Sequence, residues 1–184
     1  MKCLFIVITF SLNFVFTAFS QTCPTPPACT HTNQTDFNFS DGDVLCITTN
    51  GFNLGNIGGN IQAGETATLY IAPGASVSIG NFNTSVVAGG TFNIINEGIW
   101  EQNNFTIKSH MVFNNCETGM IDVSGNIVID TDGTLNNLGT VEALSGLNNN
   151  SNGEIYNSGL ITINGDFNSD GAICGPDIGC GRFV

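Results

Sequence analysis

The chain has 184 residues, is 41% hydrophobic and only 10% charged, and carries a formal net charge of −12. Lys2, Lys108 and Arg182 are its only lysines and arginines, which excludes a surface built for nucleic acid or anionic membrane. Turnover of uronate polymers, which needs cations against the substrate carboxylates, lacks its equipment for the same reason.

In chain order, residues 1–20 hold one lysine and an apolar run from Leu4 to Phe19, with Ala18 and Ser20 as small residues before a cut at Gln21. The run is short for a membrane anchor and leads to a small-residue cleavage site, so it reads as a signal peptide. Cys23 has no lipoprotein box upstream. The mature chain is expected to be secreted, with two basic residues against fifteen acidic ones.

Residues 21–35 form a polar leader containing CPTPPAC, whose prolines oppose regular structure. From Asp36 to Cys174 a repeat takes over. Gly98, Gly119, Gly139 and Gly159 open the segments GIWEQNNFTI, GMIDVSGNIVI, GTVEALSGLN and GLITINGDFN, 21, 20 and 20 residues apart. Gly51 and Gly74 open two longer coils, with Gly58-Gly59 and residues 86–90 expected at bulging corners. DFNFSDGDVLC near the start is nearly repeated by DFNSDGAIC near the end. A period near 20 is too short for a helix and strand with turns, and the runs between marks alternate apolar and polar. Three short strands per coil, bent at Gly and Asn, predict an all-β fold: a right-handed parallel β-helix (β-solenoid) of about six coils, about 30 Å long at ~4.8 Å per coil. Residues 175–184 are a glycine-rich tail.

In-phase apolar columns argue against disorder in a Gly- and Asn-rich chain. They are expected to be Phe92, Val112, Leu135, Ile155 and Ile173; Trp100, Ile121, Val141 and Ile161; and Phe105, Ile127, Leu147 and Phe167. Trp100 thereby reads as core rather than as a sugar platform. The glycines are assigned to corners that need positive φ. Asn96, Asn137 and Asn157, each two residues before an anchor glycine, predict an inward amide ladder.

Six cysteines remain after the signal segment, allowing fifteen pairings. Close spacing favours the local staples Cys23–Cys29 and Cys174–Cys180. Cys46 and Cys116, three coils apart, are too distant to bond to each other and read as buried small hydrophobes, unless Cys46 exchanges into the leader's pairing. His31 and His110 stand alone, and no zinc spacing, nucleophile elbow, phosphate loop or Ser/His/Asp order is present.

Two acidic constellations remain. Glu101, Asp122 and Glu142 fall on one outward column about 5 Å apart, a spacing that suits retaining glycoside hydrolysis or a hard cation, and equally a solvated stripe. Asp166, Asn168, Asp170 and Asp177 match calcium-loop positions, although Gly175-Pro176 opposes the helix that follows such a loop. Calcium is therefore the one cofactor worth testing. Ice binding would need a Thr-x-Thr array, and Thr66, Thr68 and Thr162 do not continue it.

The signal ending AFSQ, the leader CPTPPAC, the phrase GDVLCI and the NSG/DG coils resemble Gly/Asn-rich secreted β-solenoid surface proteins of the Bacteroidetes. The resemblance implies an extracellular or cell-surface scaffold with adhesin-like parts and a C-terminal sorting domain. That domain is not visible here, which leaves the periplasm open as a location and favours a subunit role. No catalytic residue is assigned. The expected function is a non-enzymatic structural or interaction module with a protein partner; the alternative is a carbohydrate-binding or carbohydrate-cleaving β-helix that uses the acidic column.

Overall fold

The structure is a computed structural model that describes residues 21–175 and, as backbone, 179–181. The signal-peptide reading of 1–20 lies outside them. The chain is all-β, a right-handed parallel solenoid of about seven turns, because alternating apolar residues bury one side of each short strand and the next coil satisfies the other strand edge. The first face stacks His31–Thr32, Val44–Ile47, Thr66–Ile71, Thr91–Asn96, Met111–Asn115, Thr134–Asn137, Glu154–Asn157 and Ala172–Gly175, all parallel. Gly179–Gly181 then closes this face antiparallel. The second face runs from Phe37–Phe39 and Phe52–Ile61 through Ser76–Phe82, Ile99–Gln102, Met120–Val123 and Thr140–Ala143 to Leu160–Ile163. The third face stacks Phe105–Ile107, Asn126–Ile129, Gly146–Asn149 and Asp166–Ser169.

Columns two and three of the expected core hold: Trp100, Ile121, Val141 and Ile161 are in register, as are Phe105, Ile127, Leu147 and Phe167. Column one needs correction at its lower end. Leu135, Ile155 and Ile173 stack on Phe113 and Ile94, whereas Val112 faces outward between Asn93 and Thr134. The corner after Met111–Asn115 holds two more residues than its neighbours, so the inward position that lies four residues before Gly139 and Gly159 lies six before Gly119, at Phe113, and Val112 is one residue off it. In a period-two strand that one residue reverses the side.

The first coils are wider than the later ones and are filled by rings. Trp100 packs on Phe105 and Phe113 with centroids 4.8 and 5.1 Å away, Phe39 packs on Phe92 at 4.8 Å, and Phe82 sits edge-on between these groups. The extra residues near Gly58-Gly59 do not bulge at a corner; they lengthen Phe52–Ile61 into one bent ten-residue strand. Gly59 is needed there twice over: its φ is 148°, and a Cβ would stand 2.8 Å from the Phe39 carbonyl of the coil below. The later anchor glycines correct another expectation. Gly98, Gly119, Gly139 and Gly159 do not adopt positive φ; a side chain there would strike backbone carbonyls of the preceding coil. The left-handed corner positions in the late coils belong to Asp132 and Asn152, with φ of 60° and 64°.

The amide ladder exists and is longer than the glycine spacing implied. Asn96 donates to Asn115, Asn115 to Asn137 and Asn137 to Asn157, at 2.8, 2.8 and 2.7 Å. Asn115 escaped the spacing rule because Cys116, Glu117 and Thr118 stretch its corner. Each of the three donors also reaches a main-chain carbonyl, of Met120, Thr140 and Leu160. The ladder starts where the column changes from Ile71 to Asn96, whose Oδ1 has no partner because an isoleucine below cannot donate. Asn115→Ala is expected to cost about 2–4 kcal/mol in urea unfolding, since it takes the partner from one Asn96 amide hydrogen and from the Asn137 side-chain carbonyl in a dry interior. Asn136→Ala, on the half-buried outer ladder, should cost less than about 1 kcal/mol.

Candidate functional site

The acidic column forms as expected. Glu101, Asp122 and Glu142 are in register on the second face, between Ser78 and Thr162. Strand alternation turns them outward while Trp100, Ile121 and Val141 turn in. Glu101 is exposed and the other two are half-buried. Retaining hydrolysis needs one carboxyl kept protonated by its surroundings while its neighbour stays ionised. These three stand on the outer side of a sheet. The one tryptophan is fully buried among phenylalanines, so it is core and not a platform.

The calcium-loop residues occupy the last rung of the third face. Asp166–Ser169 is an extended strand in which Asp166 is exposed and Asn168 donates to Asn148 at 3.0 Å. A calcium loop curls so that its ligands converge on one point; side chains at alternate positions of a strand instead stay parallel, about 7 Å apart. Asp170 sits exposed at the following corner, and Asp177 lies outside the described residues. Among the described residues no three His, Cys, Asp or Glu side chains are grouped to hold a metal ion.

The leader is the element that spacing missed. Cys29 bonds to Cys46 and Cys23 bonds to Cys116, with Cα–Cα distances of 5.7 and 5.4 Å. This corrects the Cys23–Cys29 staple and the reading of Cys116 as a buried thiol, while Cys46 takes the alternative of exchanging into the leader's pairing. Cys46 and Cys116 are indeed too far apart to bond to each other, but each has a leader cysteine instead. Six residues of extended chain span about 19 Å, enough for the roughly 14 Å of three coils. The leader therefore crosses the strands along the axis, as a strap over the first face. Beneath its path lies the outward column Cys46, Tyr70, Ile95 and Asn114, and Ile95 is only 3% exposed although it points away from the core. The upper end is held by Gln21, whose amide donates to Asn136 Oδ1 and to the Tyr156 carbonyl, both at 3.2 Å, while its Oε1 accepts from Ser158 at 3.3 Å. A cavity of about 410 Å3 lies there, lined by Gln21, Asn114, Asn136 and Tyr156 among others. Past the prolines, His31–Thr32 joins the first face as its lowest rung. Cys174 is disulfide-bonded, and the backbone places Cys180 directly opposite; the Cys180 side chain lies outside the described residues.

Lys108 serves the fold. Between Ser85–Val86 and Phe105–Ile107 the third-face ladder is interrupted, and the Lys108 ammonium fills the break by donating to the carbonyls of Phe82 and Thr84 at 2.9 and 3.2 Å. Burial lowers its pKa. Tyr70 moves the opposite way: burial, then its hydrogen bond to Glu97 and that carboxylate's charge, push the phenol up to about 12. An unfolded tyrosine ionises near 10, so between pH 10 and 12 the unfolded chain holds fewer protons than the folded one. The stability this group contributes is complete below pH 10 and is lost as pH rises to 12. Melting curves across that window should fall less steeply for Tyr70→Phe than for the parent. Tyr156, raised by burial and by Glu154, and Lys108 are common to both proteins and drop out of the comparison.

Comparison with protein-family models, with curated proteins and with solved structures finds no match to this chain.

Proposed function

We propose that this chain is a non-enzymatic structural and interaction module, exported from the cell and used as a subunit of an extracellular or surface assembly, adhesin-like in the manner of Gly/Asn-rich solenoid proteins of the Bacteroidetes. The observation that carries the reading is the strap. A leader bonded by Cys29–Cys46 and Cys23–Cys116 ties the first coil to the fourth on the outside of the stack and holds the rod's shape. Such bonds persist in oxidising compartments, which supports export. The polar residues are largely consumed by stacking, inside as the asparagine ladder and outside as the pairs Asn136–Asn114 and Asn168–Asn148. A surface of repeated columns offers length and rigidity, which suits holding a partner.

The experiment is cross-linking and co-purification of the native protein from its source cells, run beside hydrolysis assays on neutral and acidic polysaccharides. A stoichiometric protein partner and no turnover are expected. Hydrolysis that disappears in Glu142→Gln would replace this reading with a carbohydrate-cleaving one.

A further inference from the structure

We propose that the C-terminal end of the stack is a docking site for an extended segment of another protein, which adds as one further rung on the second and third faces. At this end the first face is already covered by the antiparallel strand Gly179–Gly181. The other two faces stop at Leu160–Ile163 and Asp166–Ser169, which are edge strands among the described residues. In the coil beneath, the carbonyls of Ala143 and Asn149 accept from the amides of Asn164 and Asp170. Their counterparts one coil later, Ile163 and Ser169, present carbonyls to the end of the stack. An edge of this kind is a template for strand addition.

The side chains agree with the backbone. A cavity of about 380 Å3 opens at this end, lined by Leu147, Ile155, Ile161, Ile163, Phe167 and Ile173. Phe105, Ile127 and Leu147 lower in the Phe167 column are buried, whereas Phe167 is 45% exposed and Leu160, on the neighbouring edge, 58%. Among the described residues the columns end without the next apolar residue that the lower coils receive.

The occupant follows from the shape of the step. A second copy stacked head to tail would rest its lowest coil, where His31–Thr32 and Phe37–Phe39 lie at one level, on Gly179–Gly181, and the two rungs by which the first face overhangs would hold the remaining faces about 10 Å short of contact at ~4.8 Å per rung. The vacancy is two faces wide, so it fits a single bent segment of another chain. That segment continues the established coil-on-coil interface and needs the coil's own pattern: apolar residues above Ile161, Ile163 and Phe167, and glycine or another small residue above Gly165, where a Cβ meets the Ser145 backbone of the preceding coil. Asp166 is exposed at the edge, and Lys108, the one lysine or arginine among the described residues, is engaged with Phe82 and Thr84. A basic residue in the segment above Asp166 therefore completes the charge match.

The partner's being a protein rests on the function proposed above; the docking end is tested separately with the full chain and a defined probe. The probe is a synthetic peptide of residues 139–151 of this chain, which carries the coil pattern, and its control has Asp in place of Val141 and Leu147. Expected are saturable binding by fluorescence anisotropy, slowed amide exchange confined to Leu160–Ile163 and Asp166–Ser169, and about tenfold weaker binding of the control, equivalent to ~1.4 kcal/mol. Phe167→Asp, at a partly exposed position, should weaken binding by about the same factor while circular dichroism stays unchanged. Equal binding of both peptides, or no protection at millimolar probe, overturns the proposal. So does a dimer in sedimentation that Phe167→Asp dissociates, because a second copy then holds the end. Slow exchange in the free chain that is released by removing residues 182–184 also overturns it, because the chain's own tail then holds the end. A partner that co-purifies while the peptide fails would remove the docking end and leave the function standing.

Discussion

Val141→Asp is expected to cost about 4 kcal/mol or more, a large part of the roughly 5–15 kcal/mol by which such a domain is stable. Val141 is fully buried, stacked between Ile121 and Ile161, and no lysine or arginine faces it in its column. The carboxylate would have to ionise in a dry interior or stay neutral with its hydrogen-bonding groups unmet. The neighbouring Glu142→Gln should do the reverse. It removes one member of a column of like charges on the outer side, so stability is unchanged or rises by a few tenths of a kcal/mol. Urea unfolding of both variants checks the register, because a one-residue slip would exchange the two results.

Breaking the strap has the second large effect. The Cys23–Cys116 bond closes a sequence separation of 93 residues, against 17 for Cys29–Cys46. Loop-closure entropy assigns about 4.7 kcal/mol to a loop of ~100 residues and ~3 kcal/mol to one of ~15, as upper values. Cys23→Ser with Cys116→Ser is therefore expected to lower stability more than Cys29→Ser with Cys46→Ser. It should also expose Ile95, since the leader is then held covalently only at its lower end and by the Gln21 hydrogen bonds alone at its upper end. Peptide mapping without reduction should recover Cys23 joined to Cys116 and Cys29 joined to Cys46. A Cys23–Cys29 peptide in the native protein would refute the strap.

The calcium reading and the strap show how differently the sequence speaks of two kinds of feature. Asp166, Asn168 and Asp170 match a loop by spacing alone, yet the first two fill a strand and Asp170 the corner after it, because Phe167 must stack on Leu147. The periodic demand of the column sets the backbone, and a ligand pattern that needs a curled chain gives way to it. At the strap the periodic signal is silent. Residues 21–30 repeat nothing and cross the coils at right angles, so no spacing relates Cys23 to Cys116.

Fold class, coil length, the outward column Glu101, Asp122 and Glu142, and two of three core columns could be read from the chain, because a solenoid places each residue above the one about twenty positions earlier. Local periodicity is then the tertiary structure. Where a corner changes length the inference slips, as at Asn115, whose corner holds two more residues than its neighbours, and at Val112 an error of one residue is turned by the alternation into the opposite side of the sheet. The disulfide partners, the engagement of Lys108 with two carbonyls and the unmatched step at the last coil belong to the tertiary structure alone. Each depends on which groups are left unsatisfied after the coils have stacked, and that remainder has no period.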